Sequence, residues 1–440
     1  MYLHGNSRIN KKGHLEIGGC DTVELADNFG TPLFVYDENF IREKCRAYKK
    51  AFQKSGFSYQ IAYASKAFMS LAMCRLAAEE GLSLDVVSGG ELYTALKADF
   101  PAERIHFHGN NKTIEELEMA LNAGIGCFVV DNFYELEVLH TLGQERGNKV
   151  NILLRLTPGV SAHTHEYIST GQEDSKFGFS IQTGQALEAI KQALKMDNYN
   201  VLGIHSHIGS QIFETVGFVE AVRKLSDFLF HLCDETGYEI KVLNLGGGFG
   251  IRYTEEDTPL SAEQYIIPVT DEVKRQFESA GYALPEIWIE PGRSIVGDAG
   301  TTLYKIGSVK TIPGIRKYVA VDGGMTDNIR PALYQSRYEA MLANRAKDKA
   351  EEVVSIAGKC CESGDMLIWD TKLPVVSPGD LLAVSCTGAY GYAMANNYNR
   401  IARPAVLFVK DGRAEVIILR ESVEDLVKLD RIPTSMVASK

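Results

Sequence analysis

From about residue 59 to residue 290 the chain repeats one pattern, a short apolar run and then a longer stretch whose apolar positions recur three and four apart. Eight such runs predict strands at 59–64, 84–87, 104–108, 127–130, 150–156, 201–207, 240–245 and 286–290. Helix starts fall between them. Ser88 with Glu91, and Thr113 with Glu116, have capping-box spacing, and residues 218–233 keep an apolar stripe at helical period. Eight alternating βα units predict a closed parallel (β/α)8 barrel of the TIM type, since eight is the closing number; a doubly wound open sheet shares the alternation.

After residue 300 the pattern changes to strands without intervening helices, at 303–312, 317–321, 353–357, 381–386 and 405–418, the last containing a hairpin signal at Asp411-Gly412. An antiparallel β domain is expected there. Residues before 36 have no strong period and suit either a lead-in to the barrel or a strand lent to the β domain. The expected division is therefore a barrel over 36–298 and a β domain over 299–440, with a contribution from 1–35.

Composition narrows the classes of function. A chain of 440 residues suits two domains, and 45% hydrophobic with 23% charged residues suits a soluble globular protein. The net charge of −11, with no block of Lys and Arg, argues against nucleic acid as a partner. No apolar run reaches membrane-spanning length and the first twenty residues lack a signal-like core, so no membrane partner and a cytoplasmic location are expected. Eight cysteines without a CxxC predict reduced thiols.

Parallel barrels carry their chemistry at the C-terminal ends of the strands, and those ends here are polar. The first ends at Lys66, the second runs from Asp85 to Glu91, the third ends at His108, the fifth near Arg155, and the sixth at His205 and His207. The seventh runs into Gly246-Gly247-Gly248-Phe249-Gly250 and the eighth into Glu290-Pro291-Gly292-Arg293. A glycine run lets backbone N–H groups converge on an anion, and a helix starting nearby would add its dipole; by itself such a run is as often a tight turn. Lys66 is either a surface residue one step past its strand or a buried amine able to lose its proton and join a carbonyl. Together with the glycine loop and Glu290 it suggests pyridoxal phosphate, whose ring accepts electrons while a carboxylate keeps its nitrogen protonated. A metal hydrolase is the rival, because His106/His108, His163/His165 and His205/His207 are all HxH pairs. Amidohydrolases carry that pair after the first strand, where this chain has Lys66, and no metal is expected.

With Tyr63-Ala64-Ser65-Lys66-Ala67, His207-Ile208-Gly209-Ser210-Gln211, the glycine loop and Glu290-Pro291-Gly292-Arg293 in this order, the chain resembles the fold-type III pyridoxal-phosphate decarboxylases. These have an alanine-racemase-like barrel followed by a β domain. Further motifs resemble the diaminopimelate branch of that group. They are Ala162-His163-Thr164-His165-Glu166-Tyr167-Ile168, residues 170–178, Arg330-Pro331-Ala332-Leu333-Tyr334, Gly358-Lys359-Cys360-Cys361-Glu362-Ser363 and Gly388-Ala389-Tyr390.

The resemblance implies a role for each matching position. Lys66 would carry pyridoxal 5'-phosphate, His207 would stack on its ring, Ser210, Gly247 and Gly248 would hold its phosphate, and Glu290 would meet its pyridine nitrogen. Gly292, Arg293 and Tyr390 would complete the cofactor site. Arg293, Arg330, Tyr334, Glu362 and Tyr390 would surround the substrate, with Cys361 as proton donor and Cys360 a bystander. The implied reaction takes meso-2,6-diaminopimelate to L-lysine and CO2, the arginines and Glu362 offering opposite charges to the far amino-acid head. Members of the group contribute the Cys361 and Glu362 positions from a partner subunit, so a homodimer with shared sites is expected. The alternatives are an ornithine-, arginine- or carboxynorspermidine-type decarboxylase, an amino-acid racemase, a metal-dependent amidohydrolase, and a relative that binds the cofactor without turnover.

Overall fold

Eight parallel strands form a closed ring: Tyr59–Ala64, Ser83–Val86, Ile105–Phe107, Cys127–Val130, Val150–Thr157, Tyr199–His205, Val242–Asn244 and Glu286–Ile289. The last pairs back onto the first, Ile287 opposite Tyr59 and Ile289 opposite Ile61, which excludes an open sheet. A short strand, Phe179–Ser180, lies parallel to Val150–Thr157 outside the ring. The barrel belongs to a compact unit of residues 40–298, and residues 1–39 with 299–440 form a second; the computed structural model describes residues 1–147, 149–160 and 174–436.

The barrel strands are buried on both faces, which is why they read as apolar runs with little alternation. Within the ring Cys127, Val129, Leu153, Val242 and Trp288 pack into one buried cluster. Of the two predicted capping boxes, Thr113 and Glu116 form theirs. Ser88 accepts from the Glu91 N–H, but the Glu91 carboxylate turns away to Val87 N at 2.7 Å and Ser65 Oγ at 3.0 Å, so it braces the turn that carries Lys66. The striped segment lies in the helix Val216–Thr236, which buries Phe218, Val222, Leu225 and Leu229.

In the second unit a sheet runs in the order Met366–Leu373, Glu352–Ala357, Arg316–Val321, Gly300–Ile312, Leu33–Asp37, Ala405–Lys410, Arg413–Ile418. Leu381–Val384 pairs with Gly300–Ile312 and with Ala340–Leu342. Most pairings are antiparallel, as expected. Two are not: Arg316–Val321 with Glu352–Ala357, and Leu33–Asp37 with Ala405–Lys410, run parallel. Strand direction depends on which strands become neighbours, and apolar periodicity carries no record of it. The predicted run 405–418 breaks into a hairpin at Asp411 and Gly412, both at positive φ, the backbone a tight two-residue turn requires. No helix among the described residues is long and apolar enough to cross a membrane.

Candidate active site

Lys66 lies on a single tight turn, Ser65–Ala67, directly after the first barrel strand, and is exposed. Ser65 Oγ donates to the Asp85 carbonyl and to Glu91 Oε2, tying the turn to the second strand and to the helix after it. On its other side Ala64 N donates to the Pro291 carbonyl at 3.2 Å. A Cβ on Gly292 would come within 3.0 Å of Ala64 Cβ and 3.2 Å of Ala67 Cβ. The glycine therefore lets the loop after strand eight lie against the lysine turn. Sequence position leaves Lys66 either buried or at the surface, and the structure exposes it.

Two loops at the same end of the barrel are joined by backbone hydrogen bonds, Ile212 N to Gly248 O at 2.9 Å and Gly250 N to Ile212 O at 3.0 Å. Gln211 adds two more with its side chain, giving to Ile251 O and taking from Ile251 N. Side chains have no room in this joint: a Cβ on Gly247 would stand 2.1 Å from Glu290 O, and one on Gly248 2.3 Å from Gly209 O. Beside it, buried Arg293 donates to Ser210 Oγ at 2.9 Å and to Tyr253 OH at 2.6 Å. The next helix in the chain after the glycine loop begins only at Ala262, whereas a one-turn helix, Arg293–Val296, starts directly after Gly292. His207 Nδ1 accepts from Gly247 N at 3.2 Å. Burial, helped by the nearby Lys66 and Arg155 charges, holds this imidazole well below its usual pKa and so neutral.

Glu290 is buried, and both its oxygens are engaged. Asn244 Nδ2 donates to Oε1 at 2.6 Å, His108 Nε2 stands 3.2 Å from Oε1, and His205 Nε2 pairs with Oε2 at 3.1 Å. Burial opposes its charge, but the two histidines outweigh it and keep the carboxyl well below the carboxylate range. The histidines divide the roles. Burial opposes charge on His108, yet Glu290 and Asp85 raise it to about 9, whereas burial lowers His205 to about 4. Asp85 Oδ1 lies 3.4 Å from both His106 Nδ1 and His108 Nε2, since residues two apart on a strand share a face. His108, His205 and Glu290 would suit a metal by proximity. When His108 is protonated it and Glu290 form an ion pair, with His205 on the other carboxylate oxygen. The His163/His165 pair, the whole 162–168 motif and the first four residues of the 170–178 motif lie outside the described residues.

These groups fit pyridoxal 5'-phosphate. Backbone stripped of side chains, with Ser210 and Arg293 beside it, suits a phosphate; an ionised buried carboxylate suits a protonated pyridine nitrogen; Lys66 supplies an amine at the same end. Lys66, His207, Ser210, Gly247, Gly248, Glu290, Gly292 and Arg293 thus come together.

The remaining expected residues belong to the other unit. Arg330 opens the short helix Arg330–Tyr334, donates to Tyr338 OH at 2.7 Å, and holds its guanidinium 5.9 Å from the Tyr390 ring centroid. Tyr334 ends that helix, half-exposed. Cys361 is exposed and Cys360 half-buried, while the other six cysteines are buried. Burial and the neighbouring Asp365 push the Cys360 thiol up to about 11. Glu362 is exposed, its Oε1 accepting from Gly364 N at 3.1 Å. Sequence reasoning missed Asn244 and Glu91, which position Glu290 and the Lys66 turn. Only the capping-box spacing at Glu91 offered a signal, and it pointed to a different partner.

Residues 38–297 match the family model described as pyridoxal-dependent decarboxylase, pyridoxal binding domain. The chain is 63% identical to a diaminopimelate decarboxylase of Bacillus subtilis over 98% of both chains, and 62% identical to that of Halalkalibacterium halodurans over the same shares. Among solved structures, the diaminopimelate decarboxylase of M. jannaschii in complex with L-lysine superposes with a TM-score of 0.92 at 39% identity, covering 98% of this chain and 99% of that one.

Proposed function

Because the chain belongs to the diaminopimelate decarboxylase family of pyridoxal-dependent decarboxylases, we infer that it converts meso-2,6-diaminopimelate to L-lysine and CO2. The observation that carries the reading is Glu290, a buried carboxylate kept ionised at the rim that also holds Lys66 and the glycine joint. Lys66 would hold pyridoxal 5'-phosphate, with Gly247, Gly248, Ser210 and Arg293 at its phosphate, His207 and Tyr390 beside it, Gly292 giving room and Glu290 at its pyridine nitrogen. When bound, the cofactor supplies a sink for the electron pair left as CO2 departs.

The protein's own residues do the rest. Glu290 stays ionised against burial because His108 faces it, so it can keep a proton on a nitrogen it meets. His207 stays neutral and adds no charge of its own. Arg293 and Arg330 bind carboxylate and Glu362 binds amine, which fits a substrate with an amino-acid head at each end. The Cys361 thiol delivers the proton to the carbon that has lost CO2. In this reading the working unit is a homodimer in which each Lys66 is completed by the partner subunit's Cys361 and Glu362, an arrangement that would also exclude water from the reacting carbon.

Parallel assays of meso-diaminopimelate, ornithine, lysine and arginine test the assignment. Diaminopimelate should dominate, since a tail without a carboxylate leaves an arginine unpaired. Equal or better kcat/KM with ornithine would replace it with a polyamine-type decarboxylase.

A further inference from the structure

Cys361 and Arg330 stand 31 positions apart in the chain, yet one side chain holds the backbone beside both. Asp365 is buried, and its two carboxylate oxygens accept from two different segments: Oδ1 from Met325 N at 2.6 Å and Oδ2 from Cys360 N at 2.8 Å. The first segment is the turn that leads into the helix Arg330–Tyr334, and the second is the loop that displays Cys361 and Glu362. A backbone bond joins the same two segments, Lys359 N to Gly323 O, and another closes the second loop on itself, Gly358 N to Asp365 O, each at 2.9 Å.

The glycines of both segments are cut to fit this carboxylate. A Cβ on Gly358 would lie 2.1 Å from Asp365 Oδ2, and one on Gly324 would lie 2.5 Å from it. On the far side of the loop Cys361 N donates to Asn399 Oδ1 at 2.8 Å. Cys360 is thus tied inward through its N–H while Cys361 faces solvent, which accounts physically for the division between two adjacent cysteines.

We propose that Asp365 is a positioning residue whose carboxylate sets the Cys361 loop and the approach to Arg330 together. The proposal rests on the reading above for the roles of Cys361 and Arg330, but its first readout does not. Replacing Asp365 by Asn keeps its volume and removes one acceptor, so an NH2 must face one of the two N–H donors and a segment is released. The turn itself is also held by Asp327 Oδ1, which accepts from Gly324 N at 2.8 Å, so the variant retains an anchor.

On the cofactor-loaded enzyme, iodoacetamide labelling of Cys361 across a pH series should change rate by about threefold or more in Asp365→Asn, with kcat lowered and KM for diaminopimelate raised about tenfold each. Asn399→Ala frees only the Cys361 side, so it should alter labelling and kcat while leaving KM within about twofold. Wild-type labelling and wild-type KM in folded Asp365→Asn would overturn the proposal. If that variant does not fold, Gly358→Ala crowds the same carboxylate and is judged by the same two readouts. Full kcat in Cys361→Ala would refute Cys361 as the acid, and the labelling result would still decide the role of Asp365.

Discussion

His108 Nε2 lies 3.2 Å from Glu290 Oε1, and both residues are buried in the barrel. An imidazolium and a carboxylate at that separation stabilise each other's charged forms, and each therefore ties the stability of the fold to pH. His108, raised from 6.5 to about 9, contributes stability that is complete below pH 6.5 and lost as pH rises through about 9. Glu290, held well below 4.5, contributes above that value and loses the contribution only in acid. The Tm of the cofactor-free protein should fall more between about pH 7 and 10 in wild type than in His108→Gln, which has no such proton to lose. Parallel curves for the two proteins would show that this pair does not couple to folding.

Gly247→Ala should weaken cofactor affinity by about tenfold or more, because its Cβ would stand 2.1 Å from Glu290 O and must displace either the joint or the carboxylate loop. Gly281→Ala is the control. That glycine ends a helix at φ +76 with nothing near, so the change should lower stability by about 1 kcal/mol and leave cofactor affinity unaltered. Titration of each apoprotein with pyridoxal 5'-phosphate measures the difference, and similar affinities in the two would remove the glycine joint from the cofactor site.

Mixing Lys66→Ala with Cys361→Ala should restore activity if each site draws on two subunits. After subunit exchange about half the dimers are mixed, each with one site intact and one doubly damaged, so activity should approach roughly a quarter of wild type. Exchange demonstrated by mass spectrometry with no recovery would place both residues in one chain's site.

Much of this was legible along the chain because the barrel strands are short, buried and regularly spaced. All eight expected strands overlap an observed one, several with ends shifted by one or two residues, as at 84–87 against Ser83–Val86. Leu33–Asp37 is the strand lent to the β domain, one of two options open for the segment before 36; the sequence left the choice undecided since every one of its residues is buried, so it shows no alternation, and its partners lie hundreds of residues away. Motif positions that act through their own chemistry, such as Lys66 and Glu290, could be singled out by residue type at a strand end. Asp365, Asn244 and Asn399 act by holding other residues, and nothing in their spacing says whom they hold. His108 was legible as an HxH member but not as the proton carrier, a role set by Asp85 and Glu290 arriving from other strands.

The central place of Leu33–Asp37 in its sheet also has a bearing on how the chain is made. It pairs with Gly300–Leu303 on one side and Ala405–Val409 on the other. A ribosome adding roughly 5–20 residues per second completes the second neighbour some 370 residues later, on the order of 20–70 s after the strand emerges. Until Gly300–Leu303 is made, Leu33, Phe34, Val35 and Tyr36 have no sheet to enter, while the barrel strands can close around each other. The nascent chain thus carries an unpaired apolar strand at its leading end for most of its synthesis, and any message truncated before codon 405 leaves that strand half-matched for good.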